Sequence, residues 1–161
     1  MNTTSGILAK YFHWFVPPAT ILQSLVLLVT RLYWGWAFFL TGKGKLMNLE
    51  KLTEFFQSLG IPLPHAQAIL AGTTECVGGL LLLAGFCSRL ISIPLTILLT
   101  VAYLTADLDR AKMIFSDPDK FLTADEFLFL FVVVLVFVFG PGKFSIDWLI
   151  KRKVSPPSGN A

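Results

Sequence analysis

Long apolar runs separated by short polar stretches dominate this 161-residue chain. Four runs predict membrane-spanning helices, at about residues 19–41, 66–86 and 90–106, followed by a last run of thirteen residues, FLFLFVVVLVFVF. A helix needs about 20 residues to cross a hydrocarbon core of roughly 30 Å, so the fourth helix must take its first turn from residues 122–126. The pattern therefore predicts an all-α fold, an integral membrane four-helix bundle.

The polar stretches predict how these spans are connected. Residues 42–65 mix charges with four apolar side chains at helical spacing, which predicts an amphipathic loop helix between spans 1 and 2. Those apolar side chains are Leu52, Phe55, Phe56 and Leu59. Only residues 87–89 separate the second and third spans, so these two spans form an antiparallel helical hairpin.

The two ends of the chain differ from the apolar middle. Residues 1–18 contain ILAKYFHWFVPP, which is typical of an N-terminal interfacial segment. Residues 19–147 form the predicted four-span membrane domain, and residues 148–161 form a basic and then flexible tail. Lysine and arginine counts do not decide the orientation, but the consecutive cations at 151–153 favour a cytoplasmic tail, which predicts that both termini lie in the cytoplasm.

Composition supports a membrane protein and argues against a nucleic-acid partner. Apolar residues make up 55% of the chain, the mean hydropathy is +0.71, and charged residues make up only 14%. The net charge of +3 is accounted for by the three cations of the tail. The predicted partners are therefore the lipid bilayer and other membrane protein subunits, with no nucleic acid.

Two charged residues, Arg31 and Glu75, lie near the midpoints of the first and second predicted spans. An arginine at the centre of a spanning helix costs about 2.5–3.5 kcal/mol, and an acidic residue there costs a similar amount. Two such residues at matching depth in adjacent helices predict a buried ion pair, an intramembrane salt bridge. The pair either locks the two helices in register or contacts a ligand or proton, and the sequence leaves both readings open.

Each of the first three spans carries a stripe of residues three and four apart, which share one face of a helix. The stripes are Arg31, Gly35, Phe38, Gly42 and Lys45, then Ala68, Gly72, Glu75, Gly79 and Leu82, then Thr96, Thr100, Tyr103 and Asp107. The predicted polar core is Arg31, Glu75, Lys45, Thr100, Tyr103 and Asp107, and the predicted helix-packing residues are Gly35, Gly42, Gly72 and Gly79. The polar stripes either surround a small cavity or form hydrogen bonds with one another in a closed bundle.

The residues needed for independent catalysis are missing from the sequence. Cys76 and Cys87 lie eleven residues apart, roughly 16 Å along a helix, and no C-x-x-C occurs. His13 and His65 fall at opposite predicted faces of the membrane without a ligand motif, and no nucleotide-binding pattern is present. The sequence therefore predicts no catalytic residue, no metal, no haem and no nucleotide, and it leaves a quinone open as a cofactor.

Four segments together resemble the DoxX family of small bacterial membrane proteins. They are RLYWGWAFFLTGKGKL (31–46), SLGIPLP (58–64), ECVGGLLLLAGFCSRL (75–90) and GPGKFSID (140–147). The resemblance implies a four-helix membrane bundle in the bacterial cytoplasmic (inner) membrane. Some relatives are named as subunits of thiosulfate:quinone oxidoreductase or quinol oxidase systems, and others as membrane anchors in complexes that handle thiol and oxidative stress.

Three functions are compatible with these features. The leading hypothesis is a non-catalytic subunit or anchor of a membrane redox or respiratory-type complex, because the chain is small and has no recognisable catalytic set. The second is a quinone or small-solute binding bundle that uses the Arg31 and Glu75 pair. The third is a small transporter that acts as an oligomer, disfavoured because the chain has no inverted repeats or broken helices.

Overall fold

A computed structural model of the chain describes the backbone of residues 3–154 and the side chains of residues 19–154. All regular secondary structure in this range is helical. The helices are α1 (Thr3–Met47), α2 (Leu49–Ser58), α3 (Pro64–Ala84), α4 (Ser88–Thr105), α5 (Leu108–Ala111), α6 (Pro118–Leu122), α7 (Asp125–Phe139) and α8 (Ile146–Val154), with a 3₁₀ turn at Lys112–Ile114. The protein is thus an all-α membrane helical protein, as predicted.

Helices α1 and α3 pack against each other in antiparallel orientation, and the predicted glycines lie where they meet. Gly35 faces Gly79, and Gly42 faces Gly72. A Cβ atom added to Gly79 would lie 2.6 Å from the carbonyl oxygen of Gly35, so the two backbones are too close for any side chain at that point. Close approach of this kind allows van der Waals packing between helices in lipid.

The apolar core lies between α1, α3, α4 and α7. Its fully or nearly fully buried members are Phe38, Leu82, Leu95, Leu99, Val133 and Val136. Helix α4 packs along α7 and beside α3, while α7 reaches α1 through Phe129, whose ring lies 4.5 Å from that of Phe38. The four helices therefore enclose one core, and many large apolar side chains point outward, as expected for contact with lipid.

Among the described residues, three helical segments are long and apolar enough to cross a membrane, namely Ala19–Met47, Pro64–Ala84 and Ser88–Thr105. Helix α7 has 15 residues, about 22 Å at 1.5 Å per residue, which is shorter than a typical hydrocarbon core. The fourth crossing therefore stays a prediction. Asp125 and Glu126 occupy the first turn of α7, where the helix dipole favours negative charge.

The segments outside the spans differ in detail from the sequence prediction. Helix α1 continues to Met47 instead of ending near Thr41, and its backbone runs from Thr3 without a break at the boundary expected after residue 18. The side chains of the predicted interfacial segment 1–18 lie outside the described residues, as do residues 155–161 of the tail. The amphipathic helix α2 packs against α3, between the first two spans.

Candidate functional site

Glu75 forms an ion pair with Lys45 at one end of the α1–α3 interface. Its Oε1 lies 2.5 Å from Lys45 Nζ, and the carboxylate side chain is 4% exposed whereas that of Lys45 is 34% exposed. The second carboxylate oxygen, Oε2, is buried and has no hydrogen-bond partner among the described residues. Glu75 therefore keeps one acceptor unused inside the bundle, while its partner reaches toward the surface.

Arg31 lies at the opposite end of the same interface and bonds to backbone carbonyls. Its Nη1 donates to Pro141 O at 2.6 Å, and its Nη2 donates to Phe144 O at 2.8 Å. The residue is 1% exposed, and its guanidinium packs against Gly85, which has a φ of +65° and follows α3. An arginine can serve two acceptors at once because its planar fork carries five N–H donors.

The predicted ion pair between Arg31 and Glu75 is therefore wrong. Both residues were placed at mid-span, but in the antiparallel register Arg31 lies level with Gly85 and Glu75 lies level with Lys45. Glu75 and Gly85 are ten residues apart, which is about 15 Å along a helix axis. The position of each residue along its own span does not predict which residues are neighbours across the interface, because α1 and α3 are offset along their axes.

Asp147, in the first turn of α8, caps the N-terminus of α4. The two carboxylate oxygens of Asp147 accept hydrogen bonds from the backbone N–H groups of Cys87 (2.7 Å) and Ser88 (3.0 Å) at the start of α4. The Asp147 N–H donates to Gly85 O at 3.0 Å. A carboxylate at a helix N-terminus satisfies free N–H groups and complements the helix dipole. Asp147 thus fixes the α3–α4 connection to the C-terminal segment.

We call the residues Arg31, Gly85, Pro141, Phe144 and Asp147 the arginine corner. Asp147 ends the segment GPGKFSID, but its sequence pattern alone predicted no role for it. The available signal was the order of residues, because a polar loop with two glycines precedes an acidic residue in the first turn of a helix. The identity of its target, the N-terminus of α4, could only come from the packing.

A cleft of about 600 Å³ opens beside the arginine corner, and we call it the interfacial cleft. It lies between the early part of the α1 span, the start of α4, residues 139–143 and α8. Three cationic side chains line it, from Arg89, Lys143 and Lys151. Its one carboxylate belongs to Asp147, whose oxygens already bond to α4.

The third predicted polar stripe does not join either charged residue. Thr100 is exposed and donates to Thr96 O at 2.7 Å, because a hydroxyl in a helix readily bonds to the carbonyl one turn earlier. Tyr103 is buried, and its hydroxyl donates to Phe121 O at 3.1 Å. Asp107 pairs with Arg110 at 3.4 Å. The polar core predicted from these stripes is thus divided into separate local contacts.

The chemistry that these groups can perform is limited. Within the described side chains, no three His, Cys, Asp or Glu residues come close enough to hold a metal ion. Cys76 and Cys87 are both free thiols. The buried charged groups form hydrogen bonds and an ion pair. Among the described residues, three buried side-chain polar atoms have no hydrogen-bond partner, and they are Glu75 Oε2, Ser88 Oγ and Arg31 Nε. Glu75 Oε2 is the one that belongs to a carboxylate.

Comparison with known proteins gives two matches. The family model described as DoxX matches residues 26–108, about half of the chain, which includes α2, α3, α4 and most of the α1 span. A relative from Bacillus subtilis (strain 168), named "Putative oxidoreductase CatD", is 32% identical over 86 residues, which cover 53% of this chain and 63% of that protein. The chain therefore spans less than two thirds of that relative's length. No solved structure matches the chain.

Proposed function

The chain belongs to the DoxX family, and we propose that it is a non-catalytic subunit or anchor of a membrane redox or respiratory-type complex. The observation that carries this proposal is the arginine corner. Arg31, the most deeply buried cation described in the spans, spends its hydrogen bonds on holding the C-terminal loop against α1 and α3. That is an architectural role, since both acceptors are backbone carbonyls of this chain.

Further support comes from the outer surface and from the relative. Large apolar side chains such as Tyr33 (69% exposed) and Trp36 cover the outside of α1, where lipid or another membrane subunit can pack. The relative in Bacillus subtilis carries the word oxidoreductase in its name. A chain of this kind would act with a partner that contributes the redox group.

Co-purification tests the proposal directly. The tagged chain is extracted from its native membranes in a mild detergent, and its partners are quantified by mass spectrometry against a tagged unrelated membrane protein. We expect a redox protein to co-purify in a fixed ratio, and we expect the chain purified alone to show no electron transfer to a quinone analogue. A chain that runs reproducibly alone, or that reduces the quinone by itself, would contradict the proposal.

A quinone or small-solute site is the second candidate, and Glu75 Oε2 is the observation that favours it. The unused acceptor lies beside Lys45, which lines an open groove of about 420 Å³ together with Lys51 and Asn48 from the region around α2. A lysine ammonium can donate to a quinone carbonyl, and the carboxylate can accept a proton. We therefore propose Lys45 and Glu75, in place of Arg31 and Glu75, as the polar pair of this candidate.

The second candidate is tested by the Glu75→Gln variant, with Glu50→Gln as a control at an exposed acidic position. If the groove binds a quinone, Glu75→Gln weakens binding of a quinone analogue while the complex still assembles. If assembly fails and the control does not, Glu75 is architectural. Equal quinone binding by the wild type and Glu75→Gln would exclude a ligand role for the carboxylate.

We further propose that the chain lies in the bacterial cytoplasmic membrane with both termini in the cytoplasm. Two contacts support termini on the same side: Gly142 after α7 lies against Ser24 near the start of the α1 span, and Gly140 lies against Arg89 at the start of α4. Helix α7 therefore runs back along α4, which supports a fourth crossing. Reporter fusions after residue 161 and within 107–123 would test this orientation, and an external signal from the first fusion would refute it.

A further inference from the structure

We propose that the interfacial cleft binds the headgroup of an anionic phospholipid. The cleft is separate from the Glu75 and Lys45 pair, and it shares Pro141 and Asp147 with the arginine corner. Its lining carries three cations and one carboxylate, and the carboxylate is engaged as the cap of α4. The groups facing an occupant are therefore predominantly positive, which is complementary to a phosphate.

The cations come from three different parts of the chain. Arg89 is in the first turn of α4 and donates to Val138 O at 3.3 Å, which holds its guanidinium over the end of α7. Lys143 belongs to the loop that follows α7, and Lys151 belongs to α8. Neither lysine forms an ion pair among the described residues. Folding thus brings together, at the opening of the interfacial cleft, positive charges that are up to 62 residues apart in the sequence.

The walls of the cleft identify a lipid as the source of the phosphate. Leu27, Leu90 and Phe139 line it, and the last two are 68% and 53% exposed on the outside of the bundle. Acyl chains could therefore lie on an apolar surface that is continuous with the cationic mouth. A free phosphate would gain nothing from these walls, whereas a phospholipid uses both parts.

Helix α8 has the composition of a helix that lies at the membrane surface. Ile146, Leu149 and Ile150 are exposed apolar residues, while the last turn carries three consecutive cations. Arg152 lies 5.4 Å from the ring centre of Trp148, which also lines the cleft. Basic amphipathic helices with an aromatic residue bind anionic bilayer surfaces. The cleft would thus hold one lipid specifically beneath a helix that favours such lipids in general.

Native mass spectrometry of the full chain in detergent provides the test. Phosphatidylglycerol and phosphatidylcholine with identical acyl chains are titrated separately, and bound lipids are counted. The variant Lys143→Gln/Lys151→Gln removes two cleft cations, and Lys43→Gln/Lys112→Gln removes two exposed lysines outside the cleft. Lys143→Arg/Lys151→Arg keeps the charge and shows whether the positions themselves tolerate change.

We expect the wild type to bind phosphatidylglycerol at least about 25-fold more tightly than phosphatidylcholine, since each cation near the surface contributes about fivefold and at least two of them act on the headgroup. The cleft double variant should lose about 25-fold, whereas the arginine variant and the control stay within about twofold. Equal binding of the two lipids by the wild type would overturn the proposal without any variant. An equal loss of phosphatidylglycerol affinity in the cleft and control glutamine variants would also overturn it. Displacement of the bound lipid by inorganic phosphate at equal concentration would overturn it too.

Discussion

Replacing Arg31 by glutamine tests how the C-terminal loop is attached to the bundle. The guanidinium serves Pro141 O and Phe144 O, and a glutamine side chain is too short to reach both. Loss of a hydrogen bond to a charged group costs at most about 3 kcal/mol, so loss of these two part-buried bonds costs about 2–6 kcal/mol. We expect this loss to appear first as local opening of residues 140–147, because Arg31 ties that loop directly to α1.

Hydrogen exchange of backbone amides measures this opening. The amide of Asp147 bonds to Gly85 O, and the amides of Cys87 and Ser88 bond to the Asp147 carboxylate, so all three become free when the loop detaches. Even the lower figure of about 2 kcal/mol raises the opened fraction about thirtyfold. Peptides from the middle of α4 should keep their protection and serve as an internal control.

The matched control is Glu75→Gln, which distinguishes the observed contacts from the pair that the sequence predicted. Glu75 lies about 15 Å from the arginine corner along α3, and sites this far apart behave additively within about 0.3–0.5 kcal/mol. Glu75→Gln should therefore leave residues 140–147 protected. If Glu75→Gln opens this loop as much as Arg31→Gln does, or if Arg31→Gln does not open it, the assignment of Arg31 to the loop carbonyls is refuted.

Three further predictions concern other contacts. Glu75→Gln removes the ion pair between α1 and α3 and should lower the free energy of unfolding by about 1.5–3 kcal/mol in a detergent denaturation assay, and an unchanged midpoint would contradict this. Gly79→Ala places a Cβ against backbone atoms of α1 and should lower the free energy of unfolding by about 1–3 kcal/mol in the same assay. Gly44→Ala is the control, because a Cβ at Gly44 would have no atom within 4 Å and should leave the free energy of unfolding unchanged. Equal effects of the two substitutions would refute close packing at Gly79. Hydrogen bonds from Lys120 hold the pKa of Asp117 below its usual value, so the stabilising contact is present above the unfolded-state pKa and is lost as pH falls through the folded-state pKa. NMR titration of the Asp117 carboxyl should show this low pKa, and Lys120→Met should raise it part of the way toward the usual value, because the backbone N–H of residue 120 still donates to the carboxylate.

The sequence is sufficient to predict the helical elements because lipid imposes strong rules on them. Every backbone polar group in the hydrocarbon must be paired within the segment, so a long apolar run has to be a helix. The short link between α3 and α4 likewise requires an antiparallel hairpin. Glycine spacing identified the faces at which α1 and α3 meet, and Gly42 and Gly79 both lie against backbone atoms of the other helix.

The partners of the charged residues could not be obtained in this way. Spacing gives the face of a helix but not its offset along a neighbouring helix, and that offset decides whether Glu75 meets Arg31 or Lys45. The acceptors of Arg31 are backbone carbonyls more than a hundred residues away, and every residue except proline contributes the same backbone groups. Contacts to the main chain therefore leave little trace in the sequence.

The offset between α1 and α3 also changes the energetic argument about the two charges. Arg31 lies level with the end of α3, and Glu75 bonds to a lysine that is one third exposed, so neither group is isolated at the centre of the bundle. The insertion cost of about 2.5–3.5 kcal/mol applies to an unpaired charge in the middle of a helix, whereas Glu75, near the middle of α3, is paired with Lys45. Between the two charges lie Phe38 and Leu82, both buried and apolar, which provide no hydrogen-bonding group for a proton path. Arg31 with its loop carbonyls and Glu75 with Lys45 thus form two separate structural contacts at opposite ends of the α1–α3 interface. This arrangement favours an anchor over a proton relay across the membrane.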